Sequence, residues 1–503
     1  MKINEMQSKL ARWSKQEQNK RFNRLLRLIV NPEWLSHAAD ITLASSGAKT
    51  SGVDGINKDK FIANRLYYLQ QIRKEVLDGT YQPSAARRIY IPKANGKQRP
   101  LGIPTIRDRI LQRAILMALE PIWESDFHRL SYGFRPGRSV HHAVRTVKFQ
   151  LQDGSHASGR WVIEGDLASY FDTVHHKLLM KCIRKRVCDN RLLNLIWRLL
   201  KAGHIDRGMF CAASTGVPQG GVMSPLFANI MLHEFDNWLE AKYLGQKVRR
   251  DRWTWNSGIQ KQRPIAKAEN RQWKPAVAYS RFADDFVLVV KGNKTHASTI
   301  REECNEFLRD KLKLTLNLDK TKITHVDDGF TFLGHRIVRK IGPHGNMRPV
   351  TNIPKEKYSK FAHSITSLLS GNYNINKIDM IKQLNYKIIG WSNFYQFTDY
   401  TAKVYSKLDR IIFWKFAHWL GVKYKSSIKS LMKHSIHKVG NAKIWRLSGI
   451  DSQGRYYTEM SLSRLASSKK LRFKWRNPIN PYLPEEEENS YHATYKQVAM
   501  AMS

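Results

Sequence analysis

The segment AYSRFADDFVLVVK (residues 278–291) decides the fold class of this chain. Apolar residues on both sides of two adjacent acids predict a pair of β-strands that meet at Asp284 and Asp285. A second segment, WVIEGDLASYFD (161–172), starts as a buried strand and ends in an acidic turn that contains Asp166. An Asp-Asp pair between strands is most often a solvated turn, so the pair alone indicates little. Carboxylates beside buried strands are costly unless they are paired or bind a cation, which makes these three acids candidate functional residues.

Three carboxylates at strand ends suit divalent cations. Mg²⁺ prefers carboxylate and phosphate oxygens. Two such ions about 3.5–4 Å apart can stabilise both the attacking and the leaving oxygen of a phosphoryl transfer. We therefore expect Asp166, Asp284 and Asp285 to face one another at one edge of a sheet.

The chain is strongly basic, with 85 Lys and Arg against 42 Asp and Glu and a formal net charge of +43. Surplus charge of this size opposes compactness, so a polyanionic partner is expected. Nucleic acid fits best, because each neutralised phosphate releases counterions. The 4 cysteines form no CxxC pair, and no apolar run approaches the roughly 20 residues of a membrane span. These features predict a nucleic-acid-binding protein of a reducing compartment.

The remaining patterns predict an α+β region followed by helices. Apolar residues at helical spacing recur through residues 1–80. The segment RRIYIPKANGKQRPLGIP (87–104) predicts a β-hairpin around the turn Asn95-Gly96. From about residue 355 the pattern becomes helical, aromatic and basic, and beyond about residue 450 a basic segment gives way to an acidic tail.

An ordered set of segments, covering about half of the chain, resembles the group II intron-encoded reverse transcriptases. A further segment, GWSNFYQF (390–397), is similar to the maturase signature of that family. The ordered segments are YIPKANGKQRPLGIPTIRDRILQRAI (90–115), LSYGFRPGRSVHHAV (130–144), WVIEGDLASYFDTV (161–174), GVPQGGVMSPLFANIMLHEFD (216–236), RFADDFVLV (281–289), LKLTLNLDKTKITH (312–325) and FTFLGHRI (330–337).

The resemblance implies an α+β right-hand polymerase, whose fingers and palm contain an antiparallel sheet, followed by an α-helical thumb or maturase domain. Four parts are expected: an N-terminal helical extension (1–88), the fingers and palm (89–340), the thumb or maturase domain (341–450), and a basic DNA-binding segment with an acidic tail (451–503). No cysteine follows Cys304, so the zinc-containing HNH nuclease of many relatives is expected to be absent.

The resemblance also implies a metal site. Asp166 and Asp284 are expected to bind two Mg²⁺ ions, for which Mn²⁺ is an alternative, with Asp285 as the supporting acid. The backbone carbonyl of Leu167 is expected to complete one coordination sphere.

Other residues are expected to bind the incoming nucleotide. Lys93 and Arg99 flank the hairpin turn and would grip the triphosphate. Phe171 would pack under the sugar and clash with a 2′-hydroxyl, which favours dNTPs. An ordinary cationic hairpin and a plain core aromatic are the alternatives for these positions.

A second group would lie along the nucleotide and the template. Gln219 and Gly220 belong to PQGG, where glycine allows close approach of the backbone, and Lys320 resembles a lysine near the metal site. Phe282 occupies a position where the family usually has Tyr, so the ring is kept and the hydroxyl is lost. We still expect polymerase activity, while the effect on nucleotide choice is open.

We expect a mobile-intron enzyme that copies intron RNA into DNA and, as a maturase, assists splicing and retrohoming. Its partners would be intron RNA, a DNA target and primer, and dNTPs, with no membrane, in the cytoplasm of a bacterium rather than in an organelle. The basic, Trp-bearing insertion (237–278) would contact unpaired bases and phosphates. A domesticated reverse transcriptase of phage defence or DNA repair shares the same polymerase and is the alternative. An RNA-binding splicing chaperone with a decayed polymerase is disfavoured by the full set of site residues.

Overall fold

A computed structural model describes residues 2–92, 96, 98–151, 160–245, 253–256, 261–264, 275–342, 345, 347–371, 373–438, 445–468 and 480–483. The chain divides into two compact units, one of Met1–Gln150, Ala157–His325 and Arg476–Ser503, the other of Leu151–His156 and Val326–Trp475. The predicted boundaries at 88, 340 and 450 stay predictions. None of the helices in the described ranges combines the length and apolar character that crossing a bilayer needs.

The first unit begins with helices, as the sequence predicted for residues 1–80. Thr105 caps the central helix of this unit, because its side-chain oxygen accepts a hydrogen bond from the Asp108 N–H. The helices in this part of the chain are α1 (Ile3–Gln16), α2 (Leu25–Ile29), α3 (Pro32–Ala44), a 3₁₀ turn (Ser46–Lys49), α4 (Lys58–Ala63), α5 (Arg65–Asp78), α6 (Ile106–Glu124) and α7 (Val140–Gln150).

The predicted hairpin over residues 87–104 is present. Its strands β1 (Ala86–Pro92) and β2 (Gln98–Ile103) pair antiparallel, with Ile91 opposite Arg99. The remaining elements of the first unit are β3 (Arg160–Gly165), α8 (Tyr170–Thr173), α9 (His176–Arg184), α10 (Asn190–Lys201), β4 (His204–Asp206), β5 (Met209–Cys211), α11 (Ser224–Leu239), a π-helical turn (Glu240–Leu244), β6 (Trp253–Asn256), β7 (Lys261–Pro264), β8 (Ala276–Phe282), β9 (Asp285–Lys291), α12 (Lys294–Phe307), a second π-helical turn (Leu308–Leu312) and β10 (Lys322–His325).

The predicted strands around Asp284 belong to an antiparallel sheet in the order β10-β3-β9-β8. In β9 the five residues between Asp285 and Lys291 are all buried, which explains a continuous apolar run in place of strict alternation. Three of them, Phe286, Leu288 and Val290, join residues of α6, α9, α10 and α11 in one hydrophobic core. A second sheet has the order β2-β1-β4-β5.

Part of the insertion between α11 and β8 is a hairpin. β6 and β7 pair antiparallel, with Trp253 opposite Pro264. Apart from β6 and β7, residues 246–274 lie outside the described residues. The predicted RNA contacts of this segment therefore stay a prediction.

The second unit combines small sheets with helices. Its elements are β11 (Phe330–Phe332), β12 (His335–Ile341), β13 (Met347–Asn352), α13 (Lys355–Leu369), α14 (Lys377–Tyr395), α15 (Ala402–Tyr424), α16 (Ile428–Ser435), β14 (Ile436–Lys438), β15 (Trp445–Ile450), β16 (Tyr456–Thr458) and α17 (Leu462–Ser468). The helices from residue 355 onward were predicted. The sheet β14-β15-β16 was not, because β14 and β16, with three residues each, are too short to show an alternating pattern.

Candidate active site

Three carboxylates lie at one end of the β10-β3-β9-β8 sheet. β3 ends at Gly165, directly before Asp166. The tight hairpin between β8 and β9 contains Asp284, and Phe282 pairs with Asp285 across it. Because β3 and β9 are neighbours in the sheet, this register brings all three acids to the same end of the strands, the acidic edge.

The three acids interact electrostatically. Burial raises the pKa of Asp284 above its usual range, and the charge of Asp166 raises it further, while Arg99 and Arg281 lower it. Desolvation, then repulsion from Asp284 and Asp166, raises the pKa of Asp285 to about 7. Because the Asp285 side chain keeps an exposed surface, repulsion between the acids contributes more to its raised pKa than burial does. A cation placed between these carboxylates would relieve that repulsion.

Lys320 and Asn317 contact the first acid. The Lys320 Nζ donates to the Asp166 Oδ2 at 2.9 Å, although the Lys320 side chain is 68% exposed. The Asn317 Nδ2 lies 3.4 Å from the same oxygen, and the Asn317 N–H donates to the Asp166 carbonyl at 2.8 Å. The structure therefore places the Lys320 ammonium group at the acidic edge, in contact with Asp166.

Leu167 is fixed by the same neighbouring segment. It forms an antiparallel bridge with Leu316, framed by hydrogen bonds from Ala168 N–H to the Thr315 carbonyl and from Asn317 N–H to the Asp166 carbonyl. In this pattern the N–H and C=O of Leu167 itself point away from the neighbouring segment.

A buried ion pair supports the turn that carries Asp284. Arg281 and Asp236 are both fully buried and form two parallel hydrogen bonds of 2.8 and 2.6 Å. The remaining Nη1 of Arg281 donates to the carbonyl of Ala283 at 2.9 Å. Ala283 adopts the left-handed conformation, with φ +57°. The guanidinium group thus holds a backbone conformation that an alanine rarely adopts on its own.

A second backbone segment packs against the same turn. The Tyr132 N–H donates to the Arg281 carbonyl at 2.8 Å, and the Arg281 N–H donates to the Leu130 carbonyl at 2.9 Å. A Cβ on Gly133 would overlap the backbone of Ala283, so only glycine fits at this position. The turn is therefore held from two sides.

Phe171 and Asp172 are hydrogen-bonded to the segment of Val217 and PQGG (218–221). The Val217 N–H donates to the Phe171 carbonyl at 2.7 Å, and the Gln219 Nε2 donates to the Asp172 carboxylate at 3.1 Å. The Gln219 carbonyl accepts a 2.7 Å hydrogen bond from the N–H of Gly102 in β2. The hairpin β1-β2, PQGG and the chain at Phe171 and Asp172 thus form one connected group.

Of the two expected triphosphate residues, the structure describes one. Arg99 is exposed on β2 and lies close enough to Asp284 to lower the pKa of that acid. Lys93 lies outside the described residues.

The donor set fits a divalent cation, although the described residues contain no group of three or more acids, histidines or cysteines already arranged around a metal position. Asp166, Asp284 and Asp285 supply the hard oxygen donors that Mg²⁺ prefers. Their mutual repulsion raises the pKa of Asp285, and a divalent cation bound between them would offset that repulsion.

Sequence reasoning missed the residues that support this site. Arg281 and Asp236 lie within segments that carry the family resemblance, but the sequence patterns assigned neither a role. The signal that could have identified them is a charged residue inside an otherwise apolar strand or helix, because such a residue needs a buried partner.

In the second unit Trp391 and Tyr395 of GWSNFYQF pack in the hydrophobic core, whereas Phe394 is exposed. Tyr395 is buried, and Trp391 stacks on Phe361 with a centroid distance of 4.7 Å. Basic residues instead occupy the exposed surface of α15, and these are Lys403, Lys407, Arg410 and Lys415. This basic surface suits contact with phosphates.

The chain matches two protein-family models. Residues 91–337 match "Reverse transcriptase (RNA-dependent DNA polymerase)", and residues 358–437 match "Group II intron, maturase-specific domain". Both matches follow the chain order that the sequence patterns indicated.

Individual relatives agree with these models. The chain is 63% identical over 369 residues to Protein YkfC of Escherichia coli K12, covering 73% of this chain and 97% of that protein. It is 34% identical over 353 residues to the group II intron-encoded protein LtrA of Lactococcus lactis, covering 64% of this chain and 58% of LtrA. A putative COX1/OXI3 intron 1 protein of Saccharomyces cerevisiae is 31% identical over 365 residues, with 67% and 42% covered.

Proposed function

Since this chain belongs to the group II intron family of reverse transcriptases and maturases, we propose that it copies an intron RNA into DNA and binds that RNA as a maturase in splicing and retrohoming. The family makes it an RNA-directed DNA polymerase that depends on divalent metal ions. The observation that carries the proposal is the meeting of Asp166, Asp284 and Asp285 at the edge of one sheet, beside Arg99.

In the proposed mechanism Asp166 and Asp284 hold two Mg²⁺ ions, with Mn²⁺ as a substitute and Asp285 as the supporting acid. The carbonyl of Leu167, which points away from its neighbouring segment, is a further oxygen donor. When bound, the ions supply Lewis-acid stabilisation of the attacking and leaving oxygens. Lys320 offsets negative charge at Asp166.

The other residues bind and orient the dNTP. Arg99 and Lys93 of the fingers hairpin neutralise the triphosphate. Phe171 packs under the sugar and excludes a 2′-hydroxyl. Gln219 and Gly220 lie along the nucleotide and template, a role supported by the hydrogen bond from the Gly102 N–H of β2 to the Gln219 carbonyl.

The second unit is the proposed RNA-binding part. The basic surface of α15, with the basic segment after residue 450, would contact phosphates of intron RNA and of the DNA target. The parts 1–88, 89–340, 341–450 and 451–503 would then act as extension, fingers and palm, thumb or maturase, and DNA-binding segment.

Identification of the bound RNA tests this proposal. The protein is purified from its own cells with the RNA attached, and the RNA is sequenced. The purified complex then receives MgCl₂ and dNTPs, and both cDNA and joined exons are measured. Recovery of an intron RNA that is spliced and copied supports the proposal. Recovery of a non-intron RNA that is copied without splicing would favour the domesticated enzyme instead.

A further inference from the structure

Phe134, in the segment GFRPGRS, has an unusual conformation for a bulky residue. Its side chain is 49% exposed, and its backbone lies in the left-handed region, with φ +57°. A large residue with positive φ is an outlier, and such a conformation persists only where its surroundings fix it. An exposed phenylalanine in a strained position is therefore a candidate for a functional role.

The backbone next to Phe134 packs against the turn that carries Asp284. Directly before it, Gly133 packs so closely on Ala283 that no Cβ would fit. The Gly133 carbonyl accepts a 2.8 Å hydrogen bond from the Asn229 Nδ2, and Asn229 in turn contacts the buried guanidinium of Arg281. The backbone that carries Phe134 is thus attached to the turn that carries Asp284.

The ring of Phe134 meets the ring of Phe171. Their centroids are 6.0 Å apart and their planes are inclined by 82°, an edge-to-face arrangement that aromatic rings prefer. Tyr170 lies on another side of Phe171, at 5.7 Å and 64°. Tyr170 is itself anchored, because its hydroxyl donates to the Ala228 carbonyl at 2.6 Å.

The main chain of Phe171 is already fixed by the Val217 N–H. This main-chain hydrogen bond does not restrict rotation of the Phe171 ring. Two aromatic contacts restrict that rotation, and of the two partners Phe134 is exposed and Tyr170 is buried. Loss of Phe134 would let the Phe171 ring tilt and would widen the space next to the sugar.

We propose that Phe134 is a positioning residue that fixes the ring of Phe171 and so determines selection of deoxyribonucleotides over ribonucleotides. This inference rests on the proposed function, in which Phe171 lies under the sugar. Phe134 would be a second residue that determines nucleotide selection, and its backbone is attached to the turn that carries Asp284.

The test is a double-mutant cycle on nucleotide selection. Single-nucleotide incorporation is measured on an RNA template with a DNA primer, and kcat/KM is compared for dCTP and CTP. The variants are Phe171→Ala, Phe134→Asn and the two combined, with Phe134→Tyr as the matched control. Asparagine tolerates the left-handed conformation, so Phe134→Asn removes the ring without adding backbone strain. If Phe134→Asn does not fold by thermal unfolding, Phe134→Gly replaces it, since glycine also accepts positive φ.

We expect Phe134→Asn to lower the dCTP-to-CTP preference by about three- to tenfold, the size of one lost aromatic contact. Phe134→Tyr should keep the preference. The double variant should discriminate no worse than Phe171→Ala alone, because Phe134 acts through Phe171. If Phe171→Ala loses the dCTP-to-CTP preference, two outcomes would overturn the inference on Phe134 alone. One is a wild-type preference in Phe134→Asn, and the other is a fully additive loss in the double variant. Wild-type preference in Phe171→Ala would overturn the gate assignment and this inference together.

Discussion

Arg281 and Asp236, two fully buried residues, form an ion pair whose atoms lie 2.8 Å (Nε to Oδ1) and 2.6 Å (Nη2 to Oδ2) apart. The Tyr279 hydroxyl donates to the same carboxylate at 2.6 Å. Electrostatic attraction within the pair raises the Arg281 pKa and lowers the Asp236 pKa even though burial opposes both shifts. Through the Ala283 carbonyl, this pair connects the protein core to the acidic turn.

Breaking the pair should destabilise the fold and slow polymerisation. In Asp236→Asn the guanidinium loses its buried counter-charge, a change that typically costs about 3–5 kcal/mol. Arg281→Lys keeps the charge but cannot bind both Asp236 and Ala283 with a planar group, so it should lower kcat more than stability. Thermal unfolding and primer extension measure the two effects.

The exposed pair of Arg309 and Asp310 is the matched control. Arg309→Lys should leave the unfolding temperature and primer extension unchanged, because exposed pairs contribute little. Wild-type stability of Asp236→Asn would show that the buried pair is not what holds the turn.

Gly220 should not tolerate a side chain. It has φ +103°, and a Cβ would lie 2.6 Å from the Gly102 carbonyl oxygen. In Gly220→Ala the PQGG segment must move away from β2, and Gln219 moves with it. We expect kcat/KM for dNTP to fall on the order of 10- to 100-fold, the usual effect of misplacing a binding group.

Gly47→Ala provides the control for Gly220→Ala, since a Cβ there would meet no atom within 4 Å. Steady-state incorporation by both variants, with template–primer affinity measured in parallel, checks the prediction. Equal activity of Gly220→Ala and Gly47→Ala would contradict the assigned position of PQGG.

His233 should make stability depend on pH. Burial lowers its pKa from the ordinary 6.5 to about 4, although Asp236 and Glu234 oppose this shift. Below pH 6.5 the unfolded chain takes up a proton that the folded protein accepts only near pH 4. Stability therefore falls as pH drops through this window, by about 3 kcal/mol in total for this group.

His233→Gln removes that titration. The difference in unfolding temperature between wild type and His233→Gln should be largest at pH 7.5 and should shrink towards pH 4.5, with the exposed His37→Gln as the matched control. A difference that stays constant with pH would mean that His233 does not titrate as proposed.

The sequence was informative where local patterns determine structure. The hairpin β1-β2 and the strands on both sides of Asp284 were predicted because apolar residues and turn residues recur at short spacing. The sheet β14-β15-β16 was missed, because two of its three strands, β14 and β16, have only three residues each and show no recognisable period.

The support of the site could not be predicted, because it depends on long-range contacts. Arg281 pairs with Asp236, 45 positions away in the chain, and no local pattern marks that partner. Phe134 likewise gives no sequence signal, since positive φ is rare for phenylalanine and follows here from the packing of Gly133.

The most direct test of the central claim is primer extension by the single variants Asp166→Asn and Asp284→Asn. Asparagine keeps the size of each side chain and removes its charge. With an RNA template, a DNA primer, dNTPs and MgCl₂, each variant should lose extension on the order of 10³-fold, since several kcal/mol of metal-dependent stabilisation are removed. Binding of the RNA template–primer, measured in the same preparations, should stay close to that of the wild type and of the exposed control Asp310→Asn. Extension by either variant within tenfold of the wild type would contradict the assignment of these carboxylates as the polymerase site.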